Sequence, residues 1–110
     1  TGDLNVNKIL IRDYVLANDK VLFDFADIES YNPDGAEFMS LFATDGCYYD
    51  GNGDGSWDYS FNWATNWCAA HVGDVRCLTC DCAHSEALNC NLKARAFWWM
   101  LARIAGWDGS

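Results

Sequence analysis

"KVLFDFADI", residues 20–28, decides the fold class. Its apolar run Val21-Leu22-Phe23 lacks the polar alternation of a half-exposed strand. It reads instead as a strand covered on both faces, the pattern of parallel sheets. Just upstream, "LNVNKILIRDYVLA" (4–17) sets Val6, Ile9, Leu10 and Tyr14 on one helical face, with Asp3 as candidate N-cap. "ND" at 18–19 stops that helix. "YNPDG" (31–35) has Pro and Gly where turn chemistry favours them, and 36–44 suits a short helix. A single strand is not a sheet. The neighbours of Val21–Phe25 must therefore come from a further portion of the same protein or from neighbouring copies of it. Asp24, a charge inside that strand, needs a partner, and Arg95 or Arg103 is a candidate.

Residues 45–90 are rich in Gly, Asp, Asn, Cys and Trp and weakly periodic, so they read as a long irregular region. The clearest helix comes last, in "NLKARAFWWMLARIAGW" (91–107), with Asn91 or Asn89 as cap and Gly106 as left-handed terminator. Phe97, Trp98, Met100, Leu101 and Ile104 surround most of its circumference, which predicts burial on more than one side.

The length of 110 residues allows one domain at most. A net charge of −9 argues against nucleic acid and anionic membrane as partners, since both would repel it. No apolar run approaches the roughly 20 residues of a membrane span. No signal peptide is evident and the sequence opens on Thr1, so it reads as a processed product. Six cysteines (Cys47, Cys68, Cys77, Cys80, Cys82 and Cys90) point to an oxidised, extracellular protein, secreted or at the cell surface, with up to three disulfides. Cys80 and Cys82 are too close in sequence for a relaxed bridge to each other, so each is expected to reach a distant cysteine. A zinc site built on Cys77-x2-Cys80 with Cys82, Cys90 or His84 is the weaker reading, because a second CxxC-like pair is lacking.

"DGNGDGSWD" (50–58) places Asp50, Asn52 and Asp54 at alternate positions, then Gly55, the Ser56 carbonyl and Asp58. Alternating oxygen donors wrapped by glycines are the pattern of a Ca2+ loop with a structural role. Where an EF-hand has its bidentate Glu, this chain has Phe61, so the loop is not an EF-hand. The competing reading is a solvated acidic turn.

"CDCAHSEALNC" (80–90) sets Asp81 three residues before His84. A carboxylate that accepts a proton from one imidazole nitrogen fixes the tautomer and frees the other nitrogen to act as a base. Spacing alone is a weak signal. In context, "DCAHSEALNCNLKARAFWWMLARIAGW" resembles the final motif block of the SGNH/GDSL hydrolases. "KVLFDFADIESYNPDG", the acidic loop and "NWA" (62–64) follow the order found in a group of secreted bacterial SGNH-like proteins. The resemblance spans most of these residues but only the C-terminal third of such an enzyme.

The resemblance implies an α/β fold: a partial flavodoxin-like, SGNH-type unit. It would comprise an N-terminal helix, one parallel-type strand, an irregular region stabilised by disulfides and calcium, and a buried C-terminal helix. Residues 1–110 would be a single domain or the C-terminal segment of a larger hydrolase-like domain. His84 would be general base and Asp81 its orienting partner, acting on a carbohydrate ester or a similar extracellular polymer. The family's nucleophilic serine and oxyanion-hole Gly and Asn belong to earlier blocks that this sequence lacks. None of Ser30, Ser40, Ser56, Ser60, Ser85 and Ser110 sits in a nucleophile-elbow context. Such a chain is expected to be inactive alone. The alternative is a non-catalytic extracellular assembly or filament subunit whose exposed strand pairs with another copy.

Three further groups are assigned to structure. Asp24, Asp27 and Glu29 are read as turn caps, and Trp57, Trp63 and Trp67 as packing rather than a sugar platform. His71 has no partner at any telling spacing and is expected at the surface.

Overall fold

The computed structural model describes residues 2–110, with side chains from Val6 onward. Among the described residues there are four helices and one small sheet. They are α1 (Gly2–Ala17), α2 (Phe25–Ile28), β1 (Tyr48–Tyr49), β2 (Asp58–Asn62), α3 (Trp63–Ala70) and α4 (Ala87–Ile104), with 3-10 turns at Met39–Leu41 and Val75–Cys77. The fold is thus mixed helix and sheet. β1 and β2 pair antiparallel, with Tyr48 opposite Asn62, Tyr49 opposite Asp58 and a register shift between them. The acidic loop is the connection of this hairpin, so the two strands hold both of its ends.

The core lies where the hairpin meets α3 and the start of α4. Cys47, Trp63, Ala64, Trp67 and Leu88 are buried there, with Phe38, Tyr49 and Leu92 packed around them. Phe38 stacks on Trp63 at 5.6 Å and meets Tyr49 edge-on at 4.9 Å. Offset and edge-on aromatic pairs add to the area they bury. Trp63 and Trp67 are packing residues, as their sequence context suggests.

Asn62 is the polar joint of this core. Its Oδ1 accepts from the Thr65 N–H at 3.0 Å and caps α3. Its Nδ2 donates to the Gly46 carbonyl at 2.9 Å and to Glu86 Oε1 at 3.1 Å. One side chain therefore ties the sheet end, the turn before β1 and the residue that opens α4. Asn89, wholly buried, does similar work: its Nδ2 donates to the Ile28 carbonyl at 3.2 Å and to Cys47 Sγ at 3.3 Å.

Two disulfides brace the irregular region, Cys68–Cys77 and Cys82–Cys90. Two bridges replace the three that six cysteines allow, and Cys47 and Cys80 remain thiols. Cys47 sits in the core as a small apolar side chain. Cys80 stays beside Cys82 instead of reaching a distant partner.

Several other expectations are corrected. Residues 20–24 carry no regular secondary structure and form no strand among the described residues, and α2 begins at Phe25. A strand needs a neighbour to take its N–H and C=O groups. Among the described residues, Val21, Leu22 and Phe23 donate no backbone hydrogen bond. Asp24 pairs with Arg12 of α1, not with Arg95 or Arg103, and it also caps α2 by accepting from the Asp27 N–H. Burial pushes the Asp24 pKa up, but the Arg12 hydrogen bond and that of the Asp27 amide outweigh this and hold it below the ordinary carboxylate range. Glu86, rather than Asn89 or Asn91, occupies the N-cap position of α4. Asn91 instead donates to the carbonyls of Arg76, Leu78 and Ala87. The expected Asp3 cap rests on a side chain outside those described.

The C-terminal helix is buried only at its start, at Leu88, Asn89 and Cys90. Farther along, Trp98 is 72% exposed and Trp99 57%, with Arg103 over the Trp99 ring. It ends as expected: Gly106 is left-handed (φ 99°), with Gly106 N–H bonded to Arg103 O and Trp107 N–H to Ala102 O. On α1, Val6, Ile9, Leu10 and Tyr14 are likewise exposed. The radius of gyration, 15.2 Å, exceeds the roughly 13 Å usual for this length. Between α1, residues 20–24 and α4 runs an open, mainly apolar groove of about 900 Å³.

Replacing Asn62 by Ala removes the α3 cap and two donors at once. The expected loss is about 2–3 kcal/mol in chemical denaturation. Asn62→Asp keeps the cap but sets a buried carboxylate against Glu86 and the Gly46 carbonyl, so it should lose at least as much.

Candidate functional site

Asp81 and His84 lie on a tight turn. Cys82 and Ser85 form an antiparallel bridge, leaving Ala83 and His84 at the tip. His84 has φ 60°, a left-handed conformation uncommon for a non-glycine residue but one that His adopts more readily than most. The turn is anchored on three sides. Cys82 is bonded to Cys90 on α4, Ser85 Oγ donates to the Asp45 carbonyl, and Lys93 Nζ donates to Ser85 Oγ at 2.7 Å. Lys93 also pairs with Glu29 at 2.7 Å, which links the turn to the segment after α2. With its hydroxyl committed twice, Ser85 is held as a structural residue.

His84 lines a cleft of about 500 Å³ with Asp45, Tyr48, Trp57, Tyr59 and Glu86. Tyr59 meets both Tyr48 and Trp57 edge-on, each at 4.9 Å. Tyr59 is 74% exposed and Trp57 40%, so one wall of the cleft is an open aromatic surface. Trp57 thus parts company with Trp63 and Trp67. Among the described residues no hydrogen bond or ion pair joins His84 to Asp81. Two carboxylate residues share the cleft with His84: Asp45, and Glu86, which is itself held by Asn62. The sequence gives one clue to this role of Glu86, its place directly before α4.

In the acidic loop, the chain wraps around Asp50. Its carboxylate, nearly buried, accepts the N–H groups of Gly53 (2.6 Å), Asp54 (3.2 Å) and Gly55 (2.8 Å). Gly53 and Gly55 have φ of 79° and 90°, which lets successive amides turn inward. Asn52 Oδ1 accepts from the Asp54 N–H, Asp54 Oδ1 from that of Ser56, and Asp58 Oδ1 from that of Ser60. Phe61 packs so closely on Gly51 that a Cβ there would lie 2.3 Å from its ring. Phe61 therefore seals the base of the loop where an EF-hand has its glutamate. Asp50, Asp54 and Asp58 do not converge as a three-carboxylate cluster. The one such group of ligand atoms among the described residues is sulfur: Cys80, Cys82 and Cys90 lie within 4.8 Å of one another.

His71 is a partnered residue that spacing overlooked. It stacks on Trp67 at 3.9 Å, its Nδ1–H faces the Trp67 carbonyl at 2.8 Å, and Nε2 lies 3.8 Å from Asp34. Trp67 Nε1 donates to the same Asp34 carboxylate at 2.7 Å, and Arg76 lies over the Trp67 ring. The signal was available as the i, i+4 spacing of Trp67 and His71 on α3. The group fastens the turn at Asp34 to α3 and has no cleft of its own.

No helix among the described residues is long and apolar enough to cross a membrane. No protein-family profile, curated protein or solved structure matches the chain.

The carboxylates share a bias. For Asp50, burial pushes the pKa up, but the amides of Gly55, Gly53, Asp54 and Asn52 together bring it below the ordinary range. Asp74 is held far down by the Arg76 guanidinium and backbone amide, and Asp58 lower by Ser60. A carboxylate whose pKa is lower in the folded state contributes stability above its unfolded pKa and loses it as pH falls through the folded value. Stability should therefore be flat above about pH 5 and decline from about pH 4 downward. Thermal melts between pH 7 and pH 2 check this; a melting temperature unchanged down to pH 2 would contradict it.

Proposed function

We propose that this chain is the C-terminal part of a secreted SGNH-like ester hydrolase, with His84 as general base and Asp81 as its orienting residue. The observation that supports this best is the groove. Among the described residues Val21–Phe23 donate no backbone hydrogen bond, and they border an open apolar channel between two helices, as an α/β unit does when neighbouring strands are supplied by other polypeptide. The order of motifs along the chain points the same way, and two disulfides suit a secreted protein.

In this reading a serine from outside these residues attacks the ester carbonyl while the His84 imidazole takes its proton. Asp81 accepts from the other ring nitrogen and stabilises the imidazolium. That contact is open here and closes when the remaining parts dock against the turn. The aromatic wall of Trp57 and Tyr59 fits a sugar ring beside the reacting ester, because aromatic faces stack on apolar sugar faces. The substrate class is thus a carbohydrate ester of an extracellular polymer.

The test is hydrolysis of a chromogenic acetyl ester by the 110-residue chain and by any longer product of its gene. The short chain should be inert and the longer one active. His84→Ala should lower kcat/KM of the longer product by about 10³–10⁴, and Asp81→Asn by a similar or smaller factor. Turnover by the short chain that survives His84→Ala would reject the assignment. The second reading, a non-catalytic assembly subunit, uses the same groove: a neighbouring copy would fill it. Large oligomers of the short chain, with no turnover from any longer product, would favour it.

We further propose that Asp50, Asn52, Asp54, Asp58 and the Ser56 carbonyl hold a structural Ca2+. The donor set is all oxygen, which suits a hard cation. Asp54 and Asp58 would close inward on binding. Calcium at about 100 times its Kd should add about 2.7 kcal/mol of stability, reversed by EDTA. A melting temperature indifferent to both calcium and EDTA would show the loop to be held by its hydrogen bonds alone.

A further inference from the structure

The three-sulfur cluster carries chemistry that the hydrolase reading does not use. Cys80 is a free, half-buried thiol, and its sulfur lies within 4.8 Å of both sulfurs of the Cys82–Cys90 bridge. The other free thiol, Cys47, is wholly buried, accepts from Asn89, and is pushed up to about 12 by that burial. A thiol of that kind is inert. The chain therefore keeps one thiol out of reach and places the other against a disulfide.

We propose that Cys80, Cys82 and Cys90 form a thiol–disulfide exchange site in which Cys80 is the resident nucleophile. The Cys80 thiolate attacks Cys90 Sγ. The Cys82–Cys90 bond breaks, a Cys80–Cys90 bond forms, and the electron pair leaves on Cys82 Sγ, which takes up a proton. One disulfide and one thiol stand on each side, so neither an oxidant nor a reductant is consumed. Attack at Cys82 is disfavoured, since Cys80 and Cys82 are separated by a single residue and cannot form a relaxed bridge. Cys90 is buried, which shields it from external thiols while leaving it open to its neighbour.

The exchange changes the candidate site. Cys82 lines the cleft with His84 and holds the His84 turn to α4. In the exchanged isomer that tether moves two residues back to Cys80, the turn is released, and a free thiol stands in the cleft wall. The site thus has two covalent states of equal oxidation level. This inference does not depend on the hydrolase assignment.

Peptide mapping tests it. The folded protein is held at pH 8.5, where exchange through the thiolate proceeds. It is then pulsed with excess iodoacetamide and digested without reduction by a protease that cleaves before Asp81, which separates Cys80 from Cys82. The expected result is label divided between Cys80 and Cys82, with a crosslink between the 74–80 peptide and the peptide that carries Cys90. In Cys80→Ser the label on Cys82 should be lost. Label confined to Cys80 in the wild-type chain, or label on Cys82 that persists in Cys80→Ser, would overturn the proposal.

Discussion

The fold depends on one constraint: too little apolar surface is buried for the number of apolar side chains present. The core gathers around Trp63, Leu88 and Cys47, and Asn62 joins the segments that meet there. What an ordinary domain of this length does with burial, this chain does with fastening. Two disulfides, the Lys93–Glu29 pair and the buried Asn89 hold segments that would otherwise separate. Each is a short-range clamp, and none covers the faces of α1 and the second half of α4. Exposed Trp98 and Trp99 show where the chain's own cover runs out.

The candidate site inherits this construction. The His84 turn is positioned by sulfur, by Ser85 and by Lys93, all of which act from α4 or the turn before β1. It is fixed firmly enough to keep His84 left-handed, yet its Asp81 contact is not made. The acidic loop is similar. Its bend is set by backbone amides donated to Asp50, while Asp54 and Asp58 remain free of a shared centre.

Local chemistry was legible in the sequence, and long-range partnership was not. The Gly106 terminator, the turn at 31–35 and the first helix follow from residue types that act within a few positions of themselves. The Val21–Phe23 run was read as a strand covered on both faces, but it forms no strand among the described residues, because a strand needs a neighbour that local sequence cannot supply. Helix α4 misled for the same reason: apolar residues around its girth describe what it can bury, not what is there to bury it. Arg12 as the partner of Asp24, and Asp34 beside His71, are pairings across turns with no local signature. The grouping of Cys80 with Cys82 and Cys90 was touched in the sequence only by the weaker zinc reading, since the spacing of Cys80 and Cys82 speaks to a bond between them and not to a third sulfur beside a bridge.

The central claim is that the backbone amides of Val21–Phe23 find no partner among the described residues. Amide hydrogen exchange of the monomeric 110-residue chain measures this most directly. Val21, Leu22 and Phe23 should exchange at close to unprotected rates, while Cys90 and the following amides of α4 remain protected. Strong protection of Val21–Phe23 in a verified monomer would mean that the chain satisfies these amides itself, and would contradict the account.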